Sequence, residues 1–237
     1  LQIVREHPDR FNVLGISCNS SWQKLLEQVQ EFQPRYALVA SDQYADELKE
    51  KMPSNTELLV GHEQLLELAT LEEADVILNS LVGYSGFEPT IEALKADKKV
   101  ALANKESLVV GGEIINELIK DNRSQLIPVD SEHSAMLQCL VGEPIDKIEK
   151  LVITASGGPF RTWSKKQMQD ITVDDALDHP NWSMGAKITI DSATMMNKGL
   201  EIIEAHWMFN MPLEKIEAVV HPQSVIHSVV TFTDGSS

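Results

Sequence analysis

The residues of this 237-residue chain best able to do chemistry are acids. Asp130 and Glu132 close the apolar run 125–129, and side chains two apart on an extended backbone share a face, so both carboxylates can reach one cation. A solvated surface pair is the plain alternative, because acid-x-acid pairs also arise by chance among 36 acidic residues. Position favours the cation: the pair ends a strand, where α/β sheets place their ligand crevices. A third acid, Glu201, closes the segment Asp191-Ser192-Ala193-Thr194-Met195-Met196-Asn197-Lys198-Gly199-Leu200-Glu201. Ser192 reads as the N-cap of a helix, whose free N–H groups attract anions. If that helix continues, Asn197, Lys198 and Glu201 share a face, and four residues advance it roughly 6 Å. A phosphate held by Ser192, Asn197 and Lys198 would then lie one small molecule's length from a cation held by Glu201. Glu204 shares the face as an alternative ligand, and an exposed Lys–Glu pair is the plain reading of the same spacing.

Three further clusters could serve such a ligand. The turn Ala155-Ser156-Gly157-Gly158-Pro159-Phe160 follows a strand, and consecutive glycines let backbone N–H groups converge on an anion, although a simple tight turn would look the same. Asn104-Lys105-Glu106-Ser107 sets a cation and an amide at another strand's end. The loop Asp178-His179-Pro180-Asn181-Trp182-Ser183-Met184-Gly185, between Pro and Gly, has the make-up of a segment that closes over ligands, with Trp182 as satellite core the alternative. His221 and His227 lack metal-ligand spacing and read as structural.

These residues need elements to hold them. After a helix tail at 1–10, the apolar segment 11–17 reads as a strand, and the turn Cys18-Asn19-Ser20-Ser21 can cap a helix at 22–32. Strands at 36–40, 57–60, 75–82, 99–103 and 125–129 then alternate with helices at 41–52, 63–69, 88–96 and 107–120. Their continuously apolar strands suit a parallel sheet covered on both faces, so the expectation is a doubly wound, Rossmann-like α/β sheet. Beyond about 130 the rhythm changes: a helix at 133–140, a strand at 148–155, an irregular polar stretch at 156–184, a helix at 193–209, and two β-rich segments at 216–220 and 225–233. That is α+β grammar, and it sets a domain boundary near 130.

Composition narrows the partners. With 20 basic against 36 acidic residues the formal charge is −16, which argues against nucleic acid and anionic membrane surfaces while leaving room for an anionic small molecule. Two cysteines, Cys18 and Cys139, lack metal or disulfide spacing and point to a reducing, cytoplasmic compartment. The apolar runs are too short for a membrane span. Leu1 is not an initiator Met, and the opening reads as a helix interior, so a preceding segment is expected.

Together, 103–107, 128–134, 155–160, 179–185, 191–201 and His221-Pro-Gln-Ser-Val-Ile-His227 resemble the 1-deoxy-D-xylulose 5-phosphate reductoisomerase family along essentially the whole chain. The resemblance implies a homodimeric enzyme of non-mevalonate isoprenoid synthesis that uses NADPH and Mg²⁺ or Mn²⁺. It would rearrange a phosphorylated sugar skeleton, by retro-aldol then aldol steps, and reduce the aldehyde to 2-C-methyl-D-erythritol 4-phosphate. By the same resemblance, Asp130, Glu132 and Glu201 are metal ligands, and Ser156, Ser192, Asn197 and Lys198 cradle the phosphate. Lys105, Ser131, Glu132 and His179 meet the sugar end, Trp182 is the lid of a mobile flap, and Lys105, Glu132 and His179 are catalytic. Asn104, Glu106 and Gly185 contact the dinucleotide. Residues 1–129 would be the NADPH-binding, Rossmann-like domain without its first βα unit, and 130–237 a catalytic domain incomplete at its C-terminus. One departure concerns the cofactor: Asn19-Ser20-Ser21 stands where many members carry Gly-Lys-Asn, so Ser20 replaces a lysine that could meet the 2′-phosphate. A metal-dependent aldolase or isomerase without a nicotinamide, and a silent sugar-phosphate-binding module, are the competing readings.

Overall fold

Continuous apolar runs become strands and amphipathic runs become the helices laid on them. The computed structural model describes residues 1–180 and 182–237, the Ser124 side chain excepted, so Asn181 of the loop motif lies outside the described residues. Packing divides the chain into two compact units, residues 1–77 with 88–100, and residues 78–87 with 101–237.

The first unit opens with α1 (Gln2–Glu6), β1 (Gly15–Cys18), α2 (Trp22–Phe32), β2 (Tyr36–Val39), α3 (Ala45–Lys51), β3 (Glu57–Val60) and α4 (Gln64–Ala69). The three strands form a parallel sheet in the order β1-β2-β3. Its core is apolar: Leu25 and Val29 of α2 pack with Ala37 and Val39 of β2 and with Leu48 of α3. The expected strand at 11–17 starts later, at Gly15, and Phe11 is exposed beneath the Arg10 guanidinium, so the apolar run continues past the sheet's edge. Ser21 takes the N-cap position of α2 without a side-chain capping bond.

The boundary falls within β4 (Val76–Asn79) and β5 (Lys99–Leu102), with α5 (Phe87–Lys95) between them. In the second unit the ends of these strands run beside β6 (Leu126–Pro128). Ala103 N donates to Asn79 O at 2.9 Å and Val129 N to Leu102 O at 3.0 Å. There follow α6 (Glu106–Leu118), α7 (Ser131–Leu140), β7 (Ile148–Ala155), α8 (Val173–Leu177), α9 (Ala186–Ala193), α10 (Met196–Phe209), β8 (Ile216–Val220) and β9 (Ser228–Phe232). The β7 strand is central, parallel to β8 and antiparallel to β9. Helix α6 kinks at Gly111, where a Cβ would come within 2.1 Å of the Phe87 ring. It meets α10 at Gly112, where one would come within 2.2 Å of Trp207. The glycine pair therefore sets how closely α6 approaches α10.

Two local expectations fail here. Asp130 and Glu132 do not lie on extended backbone: Asp130 is the N-cap of α7 and Glu132 sits in its first turn. The helix begins as soon as β6 ends because Ser134 N bonds to Asp130 O at 2.8 Å. Likewise Ser192 is not an N-cap. Residues 186–193 form a separate helix opened by Gly185, and Met195 at φ 60 breaks the chain before α10, so Met195 holds the N-cap position expected for Ser192.

Candidate active site

Each arm of the site is set by a backbone anchor. Asn104, almost wholly buried, donates from Nδ2 to Leu81 O (2.6 Å) and Gly83 O (2.9 Å) and accepts from Ser107 N (3.0 Å). Its side chain is thus spent inside the protein, and it delivers Lys105 at the head of α6. Met195 in the left-handed region starts α10 so that Asn197, Lys198 and Glu201 rise along one side. Helix α7 is tied to both neighbours: Ser228 Oγ donates to Glu132 O at 2.6 Å, and His133 Nε2 donates to Glu201 O at 3.0 Å.

On these anchors the three acids converge. Asp130, Glu132 and Glu201 each offer an oxygen within 4.8 Å of the others. Two buried lysines bridge them. Lys105 Nζ bonds Asp130 Oδ2, Asn197 Oδ1 (2.8 Å) and Glu201 Oε1 (3.2 Å), and Lys198 Nζ bonds Glu132 Oε1 (3.1 Å) and Glu201 Oε2. Asn197 Nδ2 and Ser131 Oγ complete the network, donating to Glu201 and Glu132. Burial alone would push the Lys105 ammonium down, but Asp130 and Glu201 outweigh it and hold it above the ordinary lysine range. Burial works against the Asp130 carboxylate, yet Lys105 draws it below its usual value, while burial and then Asp130 raise Glu201.

A cavity of about 370 Å³ opens beside the cluster. It is lined by Lys105, Asp130, Ser131, Glu132, Ser156, His179, Trp182, Ser192, Asn197, Lys198 and Glu201, so these sequence-predicted residues share one space. Gly157 (φ +84) and Gly158 (φ +67) turn the chain after Ser156, and a Cβ on Gly158 would strike Ser192 O at 2.6 Å. That close approach fixes α9 against the turn. His179 Nδ1 accepts from Trp182 N at 3.1 Å, which leaves Nε2 to donate to Ser156 Oγ at 3.1 Å. Burial, and then Arg161, lower the His179 imidazole, favouring the neutral ring. Trp182 remains half exposed at the rim.

The remaining residues expected to meet a dinucleotide are divided between the two units. Asn19, Ser20 and Ser21 are exposed after β1 in the first unit. In the second unit Gly185 opens α9, and Glu106 accepts from Lys187, which also pairs with Asp191 at 2.7 Å. His227, expected to be structural, lines the cavity; its backbone carbonyl takes both Thr154 N and Thr154 Oγ1. His221 is structural, accepting from Val225 N at 3.2 Å. Sequence reasoning missed His133, fully buried beside Glu204. Its Nδ1 lies 3.6 Å from Glu204 Oε2, and neither that nitrogen nor either Glu204 oxygen has a hydrogen-bond partner among the described residues. Glu204 groups with Asp130 and His133, not with Glu132, so Glu201 is the acid that joins the first cluster. The one available signal was the i,i+3 spacing from Asp130 to His133.

A cluster of carboxylates and lysines at the helix starts of an α/β protein defines a class that handles small anionic ligands with a hard cation. Comparison narrows it. Residues 1–112 match the profile described as 1-deoxy-D-xylulose 5-phosphate reductoisomerase, and residues 126–209 match that of the C-terminal domain of the same enzyme. The 1-deoxy-D-xylulose 5-phosphate reductoisomerase of Chloroherpeton thalassium is 50% identical over 237 residues, 100% of this chain and 61% of the relative. One from Bacillus thuringiensis subsp. konkukian is 50% identical over 236 residues, again 100% and 61%. Among solved structures, a DOX-P reductoisomerase in complex with NADPH, fosmidomycin and magnesium superposes with a TM-score of 0.91 at 41% identity, covering 99% of this chain and 60% of that one. The Zymomonas mobilis enzyme in complex with NADPH gives 0.90 at 41%, covering 99% and 61%. The chain belongs to the 1-deoxy-D-xylulose 5-phosphate reductoisomerase family. Its fold is the expected α/β type, a Rossmann-like parallel sheet followed by an α+β part. The chain spans about three fifths of the length of the curated relatives it matches.

Proposed function

We propose that the protein carrying this chain converts 1-deoxy-D-xylulose 5-phosphate to 2-C-methyl-D-erythritol 4-phosphate, using NADPH and a divalent cation. One observation carries this reading: three carboxylates that share a 4.8 Å neighbourhood open onto a cavity that also holds Ser156, His179, Ser192, Asn197 and Lys198. All-oxygen donors of this kind fit hard Mg²⁺ or Mn²⁺ better than a soft metal. Asp130, Glu132 and Glu201 would hold that cation, which supplies Lewis-acid polarisation of a carbonyl; NADPH supplies hydride.

The chain's own residues do the rest. Ser156, Ser192, Asn197 and Lys198 bind the phosphate end, helped by the free N–H groups and dipole at the start of α10. Lys105, Ser131 and Glu132 orient the sugar end. His179, held by Ser156 and the Trp182 amide, presents a neutral imidazole, and Trp182 covers the cavity mouth and excludes water. Asn19, Ser20, Ser21, Glu106 and Gly185 are assigned to the dinucleotide. Asn104 would contribute its backbone, since its side chain is committed elsewhere. In this division, 1–129 is the cofactor-binding domain and 130–237 the catalytic one, with Lys105 serving the chemistry and Gly185 the cofactor as exceptions, in a cytoplasmic homodimer.

The test is an assay of the full-length protein. NADPH absorbance should fall only when metal and sugar phosphate are both present. No such fall, with substrate still consumed, would favour an aldolase or isomerase that lacks hydride transfer. A crystal soaked in Mn²⁺ should show anomalous density between residues 130, 132 and 201.

A further inference from the structure

The charges around Glu201 fall one short of balance. Asp130, Glu132 and Glu201 carry −3, and the ammoniums of Lys105 and Lys198 return +2. Each lysine bridges two acids: Lys105 joins Asp130 to Glu201, and Lys198 joins Glu132 to Glu201. Both oxygens of Glu201 are taken in this way, together with one oxygen each of Asp130 and Glu132. Those are the atoms a cation would need, since a small divalent ion sits close to 2 Å from each oxygen, at about 2.0–2.1 Å for Mg²⁺. An ammonium and a divalent ion cannot share them, because like charges at such range repel strongly in a buried setting.

We propose that Lys105 and Lys198 are built-in counter-ions that give up these carboxylates to a divalent cation, and that their release turns both ammoniums toward the phosphorylated ligand. The charge count supports the exchange. Two ammoniums and one divalent cation each contribute +2, so the acid cluster keeps a net −1 throughout, while two ammoniums become free to meet a phosphate dianion. Both lysines line the cavity, so they need only reorient within it. The cation therefore loads before the phosphate, and the phosphate site is weak until it has done so. This rests on the metal-site reading above.

Amine acylation followed by peptide mass spectrometry tests the exchange on the folded protein. The two ammoniums, only 7% and 5% exposed and multiply bonded, should label slowly, and saturating Mg²⁺ should raise both rates several-fold. Exposed Lys24 should not change. Adding inorganic phosphate after Mg²⁺ should protect Lys198 again. Mn²⁺ binding is followed separately by the loss of its free-ion EPR signal. If Mn²⁺ binds while labelling of both lysines stays flat or falls, the exchange is overturned and the metal site stands. If Mn²⁺ does not bind at all, the metal site and the exchange fall together.

Discussion

Glu132 and Glu204 each group with Asp130 but should respond to substitution in opposite ways. Glu132 faces the cavity and accepts from Lys198 at one oxygen and from Ser131 at the other, so Glu132→Gln keeps the shape but removes one acceptor and the charge a cation would use, while Lys198 keeps its pair with Glu201. The expected result is an unchanged melting profile with turnover down by about 10³-fold, or ~4 kcal/mol of transition-state stabilisation. Steady-state assay beside circular dichroism checks both halves, and near-parental activity would remove Glu132 from the metal shell. Glu204 is wholly buried, and burial, then the Asp130 charge, raise its carboxyl well above the usual range. A raised acid binds its proton more tightly when folded, so the stability it contributes is complete below the unfolded value of 4.5 and is lost as pH rises toward the folded one. Glu204→Gln cannot ionise in either state and escapes that loss. Relative to the parent, the variant should gain stability as pH climbs above 4.5, by at most about 1.4 kcal/mol per pH unit. Urea titrations from acid to neutral pH would show it, and a pH-independent difference would mean that Glu204 is already ionised in the fold.

The elements hold these residues through close approaches at glycine, and the two that matter differ in kind. At Gly112 an added Cβ meets the Trp207 ring, so Gly112→Ala overpacks the α6–α10 contact. The cost should be about 1–3 kcal/mol, less up to ~1 kcal/mol regained in helix propensity, read as a lower melting temperature. At Gly158 the obstacle is Ser192 backbone, and φ is +67, so Gly158→Ala is strained whatever the side chains do. It should displace α9 and weaken phosphate binding as well as stability, whereas Gly112→Ala should act mainly on stability. Isothermal titration with inorganic phosphate in the presence of Mg²⁺ separates the two. Much of this level was legible from the sequence. The β3 strand, the α2 helix, β7 and β8 stand where apolar runs and their Pro or Gly punctuation put them: β7 is a largely buried apolar run, and α2 buries one face through Leu25 and Val29, which leaves a helical period. The break at Met195 was not legible, since a left-handed methionine is imposed by its surroundings and leaves no mark in composition. The helical start at Asp130 was hidden for a related reason: an Asp after a strand suits an N-cap as well as a strand end. The burial of Lys105 and Lys198 also escaped, because a paired core lysine and a surface lysine are the same letter.

At the scale of the whole molecule, charge sets how an anionic ligand arrives. The chain carries a formal −16, so a phosphate dianion approaches against the distant field, while with the cation bound the three acids (−3), the cation (+2) and the two lysines (+2) leave a local +1 that acts only at close range. Salt weakens the distant part: the Debye length shrinks from about 30 Å at 0.01 M to about 8 Å at 0.15 M. The close contacts to Lys198, Ser156 and Ser192 lie in a half-enclosed cavity and are screened far less. The association rate of a sugar phosphate or phosphonate should therefore rise with ionic strength over that range, with dissociation nearly constant, the reverse of the behaviour of a basic anion receptor. Stopped-flow fluorescence of Trp182 at the cavity rim, with Mg²⁺ held saturating, measures both rates. An association rate that fell with added salt would show that the released ammoniums, not the acidic surface, dominate the field at the mouth, and would shift the attraction of substrate from contact inside the cavity to steering outside it.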